Sequence, residues 1–133
     1  MQNARLNPQI IAVSSSITAD GTIPAFVASC TSEIVAIYAS VQTTLAAGTS
    51  NLLSLQAQDG GSVGTGTTAI HTARLSGATT AWTALTKYTL LAETATPYQI
   101  DKGDQVNVAY DETSTVAVGQ WTVTFHVVPG TAN

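Results

Sequence analysis

The chain has 133 residues, of which only 9% are Asp, Glu, Lys or Arg, against about 25% in an average domain. Four basic and eight acidic residues give a net charge of −4, which argues against a nucleic-acid partner and against polybasic attachment to anionic lipid, because both require clustered Lys and Arg. The longest strongly apolar run, residues 34–41, is far shorter than the roughly 20 residues of a membrane helix. We therefore expect no membrane span, and we find no signal-peptide pattern at the N-terminus.

Residues 1–20 show no sustained hydrophobic period, and we predict an extended N-terminal arm there. The arm contains too many apolar side chains for a segment surrounded by water: Leu6, Ile10, Ile11, Val13 and Ile17. We therefore expect the arm to lie against a neighbouring surface. Residues 21–133 are predicted to form one domain.

From Thr22 onward, apolar residues recur at every second position, which is typical of strands. Residues 121–127, 105–110 and 53–58 alternate most clearly. The segment 34–41 is apolar on both faces, with Ile34 and Tyr38 assigned to one face. This pattern predicts a strand that is covered on both sides, either in the centre of a sheet or at a subunit contact.

Weaker strand patterns cover residues 23–29, 69–75, 86–91 and 96–100, with Gly- and Asp-containing turn signals between segments. A short helix is the alternative for residues 81–92, where large apolar residues repeat at every third position, but the interspersed threonines favour a strand. Together these segments predict an all-β fold: an antiparallel, jelly-roll-like sandwich of about eight strands, preceded by the arm.

Two sequence motifs suggest enzymes, but their contexts do not. Residues 60–64 read Gly-Gly-Ser-Val-Gly and match the nucleophile elbow of hydrolases, and an Asp at 101 or 104 and His126 follow in the appropriate order. The elbow requires a strand that leads directly into a helix, whereas Gly, Ser and Thr continue here. Residues 64–69 resemble a dinucleotide fingerprint with no helix after it. We predict loops, no catalytic residues and no enzyme.

Metal and cofactor sites are also not expected. The acidic residues Asp101, Asp104, Asp111 and Glu112 could supply oxygen ligands to Ca²⁺, but the first two are also typical turn formers. His71 and His126 have no ligand partner at a suitable spacing, and we expect both on polar strand faces. Cys30 is the only cysteine, so it forms no internal disulfide, and we expect its thiol to be buried.

Aromatic residues could form a sugar-stacking platform of the kind found in carbohydrate-binding sandwiches. Trp121 and Tyr110 fall on apolar strand faces and are expected in the core, whereas Trp82 and Tyr98 lie near loops, and either role is open for them.

The low charge has a second implication. About a quarter of the chain is Thr and Ser, whereas a free monomer usually carries charged residues over about a quarter to a third of its surface. We therefore expect much of the surface to be covered in an assembly. Threonine-rich strands are well suited to such a rigid particle.

Four features together resemble the small decoration, or cement, proteins of tailed-bacteriophage capsids. They are the arm, the strand Ile34–Ala39 before a Gly/Ser/Thr loop, the stretch Tyr98–Val108 with its Ile-x-x-Gly-Asp-x-Val turn, and the closing strand Trp121–Val127. The resemblance implies a jelly-roll homotrimer where capsid hexamers meet, with the major capsid protein as partner. It also implies location on the virion surface after synthesis in the host cytoplasm. No catalytic residue is implied.

Within this interpretation, contacts with the capsid or with other subunits are expected from the arm and from the apolar strand: Leu6, Ile10, Ile11, Val13, Ile34 and Tyr38. Two alternatives are open at this point: a phage head-fibre or tail receptor-binding domain with the same fold, and a carbohydrate-binding β-sandwich module.

Overall fold

The computed structural model describes residues 8–16, 21–46, 52–72, 74–75, 81–113 and 120–130. These residues form ten strands: β1 (Gln9–Ser16), β2 (Gly21–Val27), β3 (Ser32–Val41), β4 (Leu52–Asp59), β5 (Thr68–Ala69), β6 (Arg74–Leu75), β7 (Tyr88–Leu91), β8 (Tyr98–Ile100), β9 (Gln105–Thr113) and β10 (Gln120–Pro129). Within the described ranges, no helix is long and apolar enough to cross a membrane.

The strands build two five-stranded antiparallel sheets, which confirms the predicted all-β sandwich. Sheet A has the order β1-β10-β3-β7, with β8 also paired to β3, and sheet B has the order β2-β9-β4-β5, with β6 also paired to β4. Each pair of short strands occupies one edge position, which leaves eight strand positions in all. The chain crosses repeatedly between the sheets, and this order is the jelly-roll arrangement.

The core lies between the two sheets and is built by the alternating faces that the sequence predicts. From sheet A, β10 buries Trp121, Val123 and Phe125, and from sheet B, β4 buries Leu53 and Leu55. Packing of two inner faces in this way removes the apolar side chains from water. This burial stabilises the fold by about 25 cal/mol per Å² of apolar surface. The strand predicted to be covered on both sides is β3, which lies inside sheet A between β10 and β7.

Two tryptophans fill the centre of the core with different hydrogen bonding. Trp82 is fully buried, and its indole Nε1–H donates to the Leu53 carbonyl at 3.1 Å. Trp121 is also fully buried, but its indole Nε1–H has no hydrogen-bond partner. A buried N–H without an acceptor costs about 1–3 kcal/mol, so Trp121 contributes to stability through packing alone.

Residues 81–92 do not form a helix. Trp82 makes an isolated bridge to Leu45, residues 84 and 85 form a turn, and β7 begins at Tyr88. The three-residue repeat arises because Trp82 and Tyr88 both pack inward, with ring centroids 5.0 Å apart, on either side of the turn. The weak strand predicted at 69–75 is present as two separate pieces, β5 and β6.

The segment predicted as the arm is extended from Gln9 to Ser16, but it lies along its own domain. As β1 it pairs with β10 without interruption, from Gln9 opposite Val127 to Ser16 opposite Gln120. The inward side chains Ile11 and Val13 pack against the core. They thereby meet the need for burial that the sequence indicates, within the chain itself.

Candidate functional site

The structure divides the predicted contact residues of the N-terminal segment into two groups. Ile10 lies on the outer face of sheet A and is 54% exposed. Ile11 and Val13 point inward and are partly buried against the core. Leu6 lies outside the described residues. Among the predicted contact residues of this segment that the structure describes, Ile10 is therefore the exposed one.

Ile34 and Tyr38 were predicted to share a face, but the structure places them on opposite faces. The pairing of β3 with β10 shifts register, so that Ala36 lies opposite His126 while Ile34 lies opposite Val127. Val35 is the extra residue of this β-bulge, and a bulge reverses the alternation beyond it. Ile34 is consequently fully buried in the core of its own chain and has no surface to offer a partner, whereas Tyr38 is partly exposed on the outer face.

Tyr38 forms the centre of an open groove of about 580 Å³ on the outer face of sheet A, here called the Tyr38 groove. Its hydroxyl donates to Glu93 Oε1 at 3.1 Å. The Lys87 ammonium lies 4.6 Å from the centre of the Tyr38 ring, and the His126 ring meets that ring edge-on at 5.2 Å. Burial, and then the bond to Glu93 and its negative charge, raise the pKa of Tyr38 above 10.0. The tyrosine therefore remains a neutral hydrogen-bond donor.

Leu85 stands at the rim of the groove in an unusual conformation. Its φ is +57°, the left-handed region that costs an ordinary L-residue about 1–2 kcal/mol. Its side chain is nevertheless 86% exposed, so no burial within the chain offsets that cost. An exposed leucine in strained backbone points to a role outside the fold.

Three hydrogen bonds hold the turn that presents Leu85. The Leu85 N–H donates to the Val41 carbonyl at 3.0 Å. The Ala84 N–H donates to Thr44 Oγ1 at 2.9 Å, and the Thr83 N–H donates to the Tyr88 hydroxyl at 2.7 Å. The acceptors at Val41 and Thr44 lie outside the turn, so contacts with β3 and with the chain that follows it help to fix this conformation.

The outer face of sheet B has a different chemistry, dominated by amide side chains. Asn107 is buried, its Nδ2 donates to the Gly64 carbonyl at 2.9 Å, and its Oδ1 accepts from Gln105 Nε2 at 2.7 Å. On β4, Gln58 Nε2 donates to Gln56 Oε1 at 3.0 Å. The loop that contains the glycine motif packs onto this face, so these polar groups are paired within the chain.

His71 is buried beside the same sheet rather than on a polar face, which corrects the expectation from the sequence. Its Nε2 accepts the Ala57 N–H at 2.9 Å, and its Nδ1 lies 2.7 Å from the Thr72 carbonyl. The ring must therefore be neutral with its proton on Nδ1. Burial lowers the pKa of His71 below 6.5, against a smaller opposing effect of the Thr72 carbonyl. Its role is to link a loop to β4.

The nucleophile-elbow motif does not assemble a triad. Ser62 is exposed in a turn that follows β4 of sheet B, whereas His126 lies on the outer face of sheet A. Asp101 and Asp104 flank the turn between β8 and β9, where the Asp104 N–H donates to the Asp101 carbonyl at 3.1 Å. In the part of the chain that the structure describes, no group of three or more His, Cys, Asp or Glu residues is placed to hold a metal.

The sugar-stacking expectation is resolved for Trp82, which is fully buried. Tyr98 is partly buried, and its hydroxyl donates to Asp59 Oδ2 at 3.0 Å. Burial and this carboxylate raise the pKa of Tyr98 to about 12. Cys30 is exposed in the bend between β2 and β3, so the expectation of a buried thiol is wrong.

Sequence reasoning missed Leu85, Lys87 and Glu93 as groove residues. Leu85 and Lys87 lie in the segment for which the sequence left a weak strand or a short helix open, and Glu93 lies just beyond that segment. An isolated Lys and Glu carry no motif, and a left-handed leucine leaves no compositional mark. The low content of charged residues indicated that part of the surface is covered by a partner, but it did not indicate which residues form that surface.

No family model and no curated protein matches the chain. Among solved structures, this chain is similar to part of a protein chain in "Structure of infectious bursal disease virus Gx strain", with 16% sequence identity and a TM-score of 0.37. The match covers 96% of this chain and 34% of that one, so the chain spans about a third of the other's length. A likeness this distant assigns neither family nor function.

Proposed function

We propose that this chain is a structural virion protein that binds the outer surface of a shell of major capsid protein and stabilises it. The observation that carries the proposal is Leu85, an apolar side chain that is 86% exposed and held by the fold in a strained conformation. Strain of this kind persists where function requires it.

The surroundings of Leu85 favour a protein partner. The groove beside it is open, and its floor consists of Tyr38 and the small hydroxyl residues Ser40, Thr122 and Thr124. Lys87 and Glu93 contribute one charge of each sign. A broad, nearly neutral surface with an aromatic residue and an apolar anchor resembles the buried centre of protein interfaces.

Two properties of the whole chain also support this function. Only 9% of the residues are charged, as expected where much of the surface is covered by neighbours. The jelly-roll topology agrees with the fold implied by the resemblance to phage decoration proteins. The resemblance also implies a trimer at hexamer junctions, but no contact among the residues that the structure describes argues for threefold assembly, and native mass spectrometry of the purified protein distinguishes a trimer from other assemblies.

The proposal is tested by co-sedimentation with empty shells. The shells are assembled from the major capsid protein of the same virus, without this chain. We expect saturable binding and a higher unfolding temperature of the shells, because a ligand that binds only the folded state stabilises it by mass action. Leu85→Asn keeps a residue that tolerates the left-handed conformation and should weaken binding at least tenfold. Val63→Ser is the matched control, since Val63 is 79% exposed beside sheet B.

Absence of shell binding by the wild-type protein would overturn the proposal. Equal loss of binding in Leu85→Asn and Val63→Ser would show that the Tyr38 groove is not the surface that binds the shell. Binding on a glycan array, with no shell binding, would instead support the carbohydrate-binding or receptor-binding alternative.

A further inference from the structure

The four edges of the two sheets are protected from edge-to-edge pairing to very different degrees. At one edge of sheet A, β7 and β8 are only four and three residues long, and at one edge of sheet B, β5 and β6 have two residues each. Short edge strands offer few backbone groups to another chain. Both of these edges are therefore poor templates for a further strand.

The third edge, β2, is protected by different means. Pro24 lies within it, and proline has no N–H to donate to a neighbouring strand. The pairing of β2 with β9 also shifts register between Pro24 and Phe26. Proline and a bulge are recognised ways in which natural sheets prevent pairing with another chain.

The fourth edge, β1, has none of these protections. It is eight residues long, it contains neither proline nor a charged residue, and its register with β10 runs without a shift. Among the described residues, no strand pairs with its other side. Ile10 adds an exposed apolar side chain to the same strand. A long, regular, uncharged edge of this kind is a template for pairing.

We propose that the free edge of β1 pairs antiparallel with β1 of a second copy of this chain, which joins the two A sheets into one continuous sheet. Residues directly opposite each other in an antiparallel pair lie on the same face. A twofold arrangement must therefore be centred on a single residue of β1. The sequence of the strand decides which one.

Centring on Ala12 gives the most complementary arrangement. Ile11 then lies opposite Val13 of the second copy on the inner face, twice, and this apolar pair extends the existing core. On the outer face, Ile10 lies opposite Ser14, and the small Ala12 faces its own copy at the axis. Centring on Ile11 would instead place Gln9 opposite Val13, and centring on Val13 would place Ile11 opposite Ser15.

Electrostatics permits this approach even though each copy has a net charge of −4. β1 has no charged residue, and the outward residues opposite it on β10 are Thr122, Thr124 and His126. Like charges are therefore not brought together at the axis, where direct opposition would be destabilising. This edge and the Tyr38 groove are separate features, and the pairing goes beyond the proposed function.

A cysteine placed at the axis tests the register. Ala12→Cys is introduced together with Cys30→Ser, because Cys30 is exposed and would otherwise react. Opposed residues in an antiparallel pair have Cα atoms about 4.5–5.5 Å apart, within disulfide range. We expect rapid formation of a disulfide-linked dimer under mild oxidation. Ser14→Cys in the same background is the control, since two copies of residue 14 are then about 14 Å apart.

Native mass spectrometry provides the second test. We expect a dimer of the wild-type chain and a folded monomer of Ala12→Lys, in which like charges meet at the axis. Circular dichroism checks that the variant remains folded. A wild-type monomer or a trimer alone would overturn the inference, as would equal crosslinking of both cysteine variants.

Shell binding by the Ala12→Lys monomer would leave the proposed function intact, so the pairing of β1 and the proposed function can fail separately. Loss of shell binding by Ala12→Lys when the wild type is also monomeric would identify a shell strand as the occupant and overturn pairing between copies.

Discussion

The two outer faces of the sandwich differ in how far their polar side chains are shielded from water. On sheet B, Asn107, Gln105 and Gln58 bond to side chains or to a loop of the same chain. On sheet A, Tyr38 stands in an open groove with Leu85 exposed beside it. Sheet B therefore shields its paired amides and serves stability, whereas on sheet A the bond from Tyr38 to Glu93 lies at an exposed site beside an accessible groove.

The largest effect is expected from removing a paired amide on the outer face of sheet B. Asn107→Leu keeps a similar shape but removes the donor to Gly64 and the acceptor for Gln105. Because buried polar groups lose their partners, we expect a loss of about 2 kcal/mol of unfolding free energy. The measurement is urea denaturation. Thr124→Val removes one hydroxyl from the outer face of sheet A and should change stability by less than about 0.5 kcal/mol. Equal losses would mean that the two faces do not differ in this respect.

The second prediction concerns pH. Because burial lowers the pKa of His71 below 6.5, the unfolded chain takes up a proton before the folded chain does as pH falls. The contribution of His71 is therefore complete above about pH 6.5 and is lost as pH falls toward the folded-state pKa, by at most about 1.4 kcal/mol per pH unit. Denaturation between pH 7.5 and 5.5 should show this slope in the wild type and in His126→Gln. His71→Gln should lack it, and an unchanged slope there would contradict the role of His71.

The third prediction tests whether Leu85 is retained at a cost to folding. Asparagine adopts the left-handed region more readily than leucine. Leu85→Asn should therefore raise the unfolding free energy by about 0.5–1 kcal/mol, while it weakens shell binding. Urea denaturation measures the first effect. A destabilised variant would show that the leucine stabilises its own chain and would remove the main support for a docking role.

The smallest effect is expected inside the Tyr38 groove. Tyr38→Phe removes the bond to Glu93, which lies at an exposed site and should contribute no more than about 0.5 kcal/mol. Glu93→Gln keeps an acceptor for the tyrosine and is the matched control. Chemical denaturation of both variants checks this. A loss above about 1 kcal/mol for Tyr38→Phe would place the groove among the features that stabilise the fold.

The sequence predicts those parts of the fold in which side-chain periodicity directly reflects burial. The alternation in β10 was correctly assigned because Trp121, Val123 and Phe125 all face one sheet. The bulge at Val35 was missed because it is a backbone irregularity with no characteristic residue type. Ile34 was consequently placed on the wrong face, and that error extended to the candidate site.

The candidate site depends on contacts between distant segments, which a single sequence does not reveal. The turn at Leu85 is held by Thr44, and the His71 ring is held by the N–H of Ala57. Neither pair has a recognisable spacing. The exposed Tyr38 was identified, although as a subunit contact on an apolar face rather than as the centre of a groove.

The position of β10 has a consequence for the order of events during synthesis. β10, which follows the other described strands along the chain, lies between β1 and β3, so sheet A cannot close until β10 has left the ribosome. Until β10 has been synthesised, β1 has no strand of its own chain to pair with, and long-range pairing of this type is slow. The uncharged segment Gln9–Ser16 is therefore open to pairing with other nascent chains during this interval, and a lysine at Ala12 should raise the yield of soluble protein.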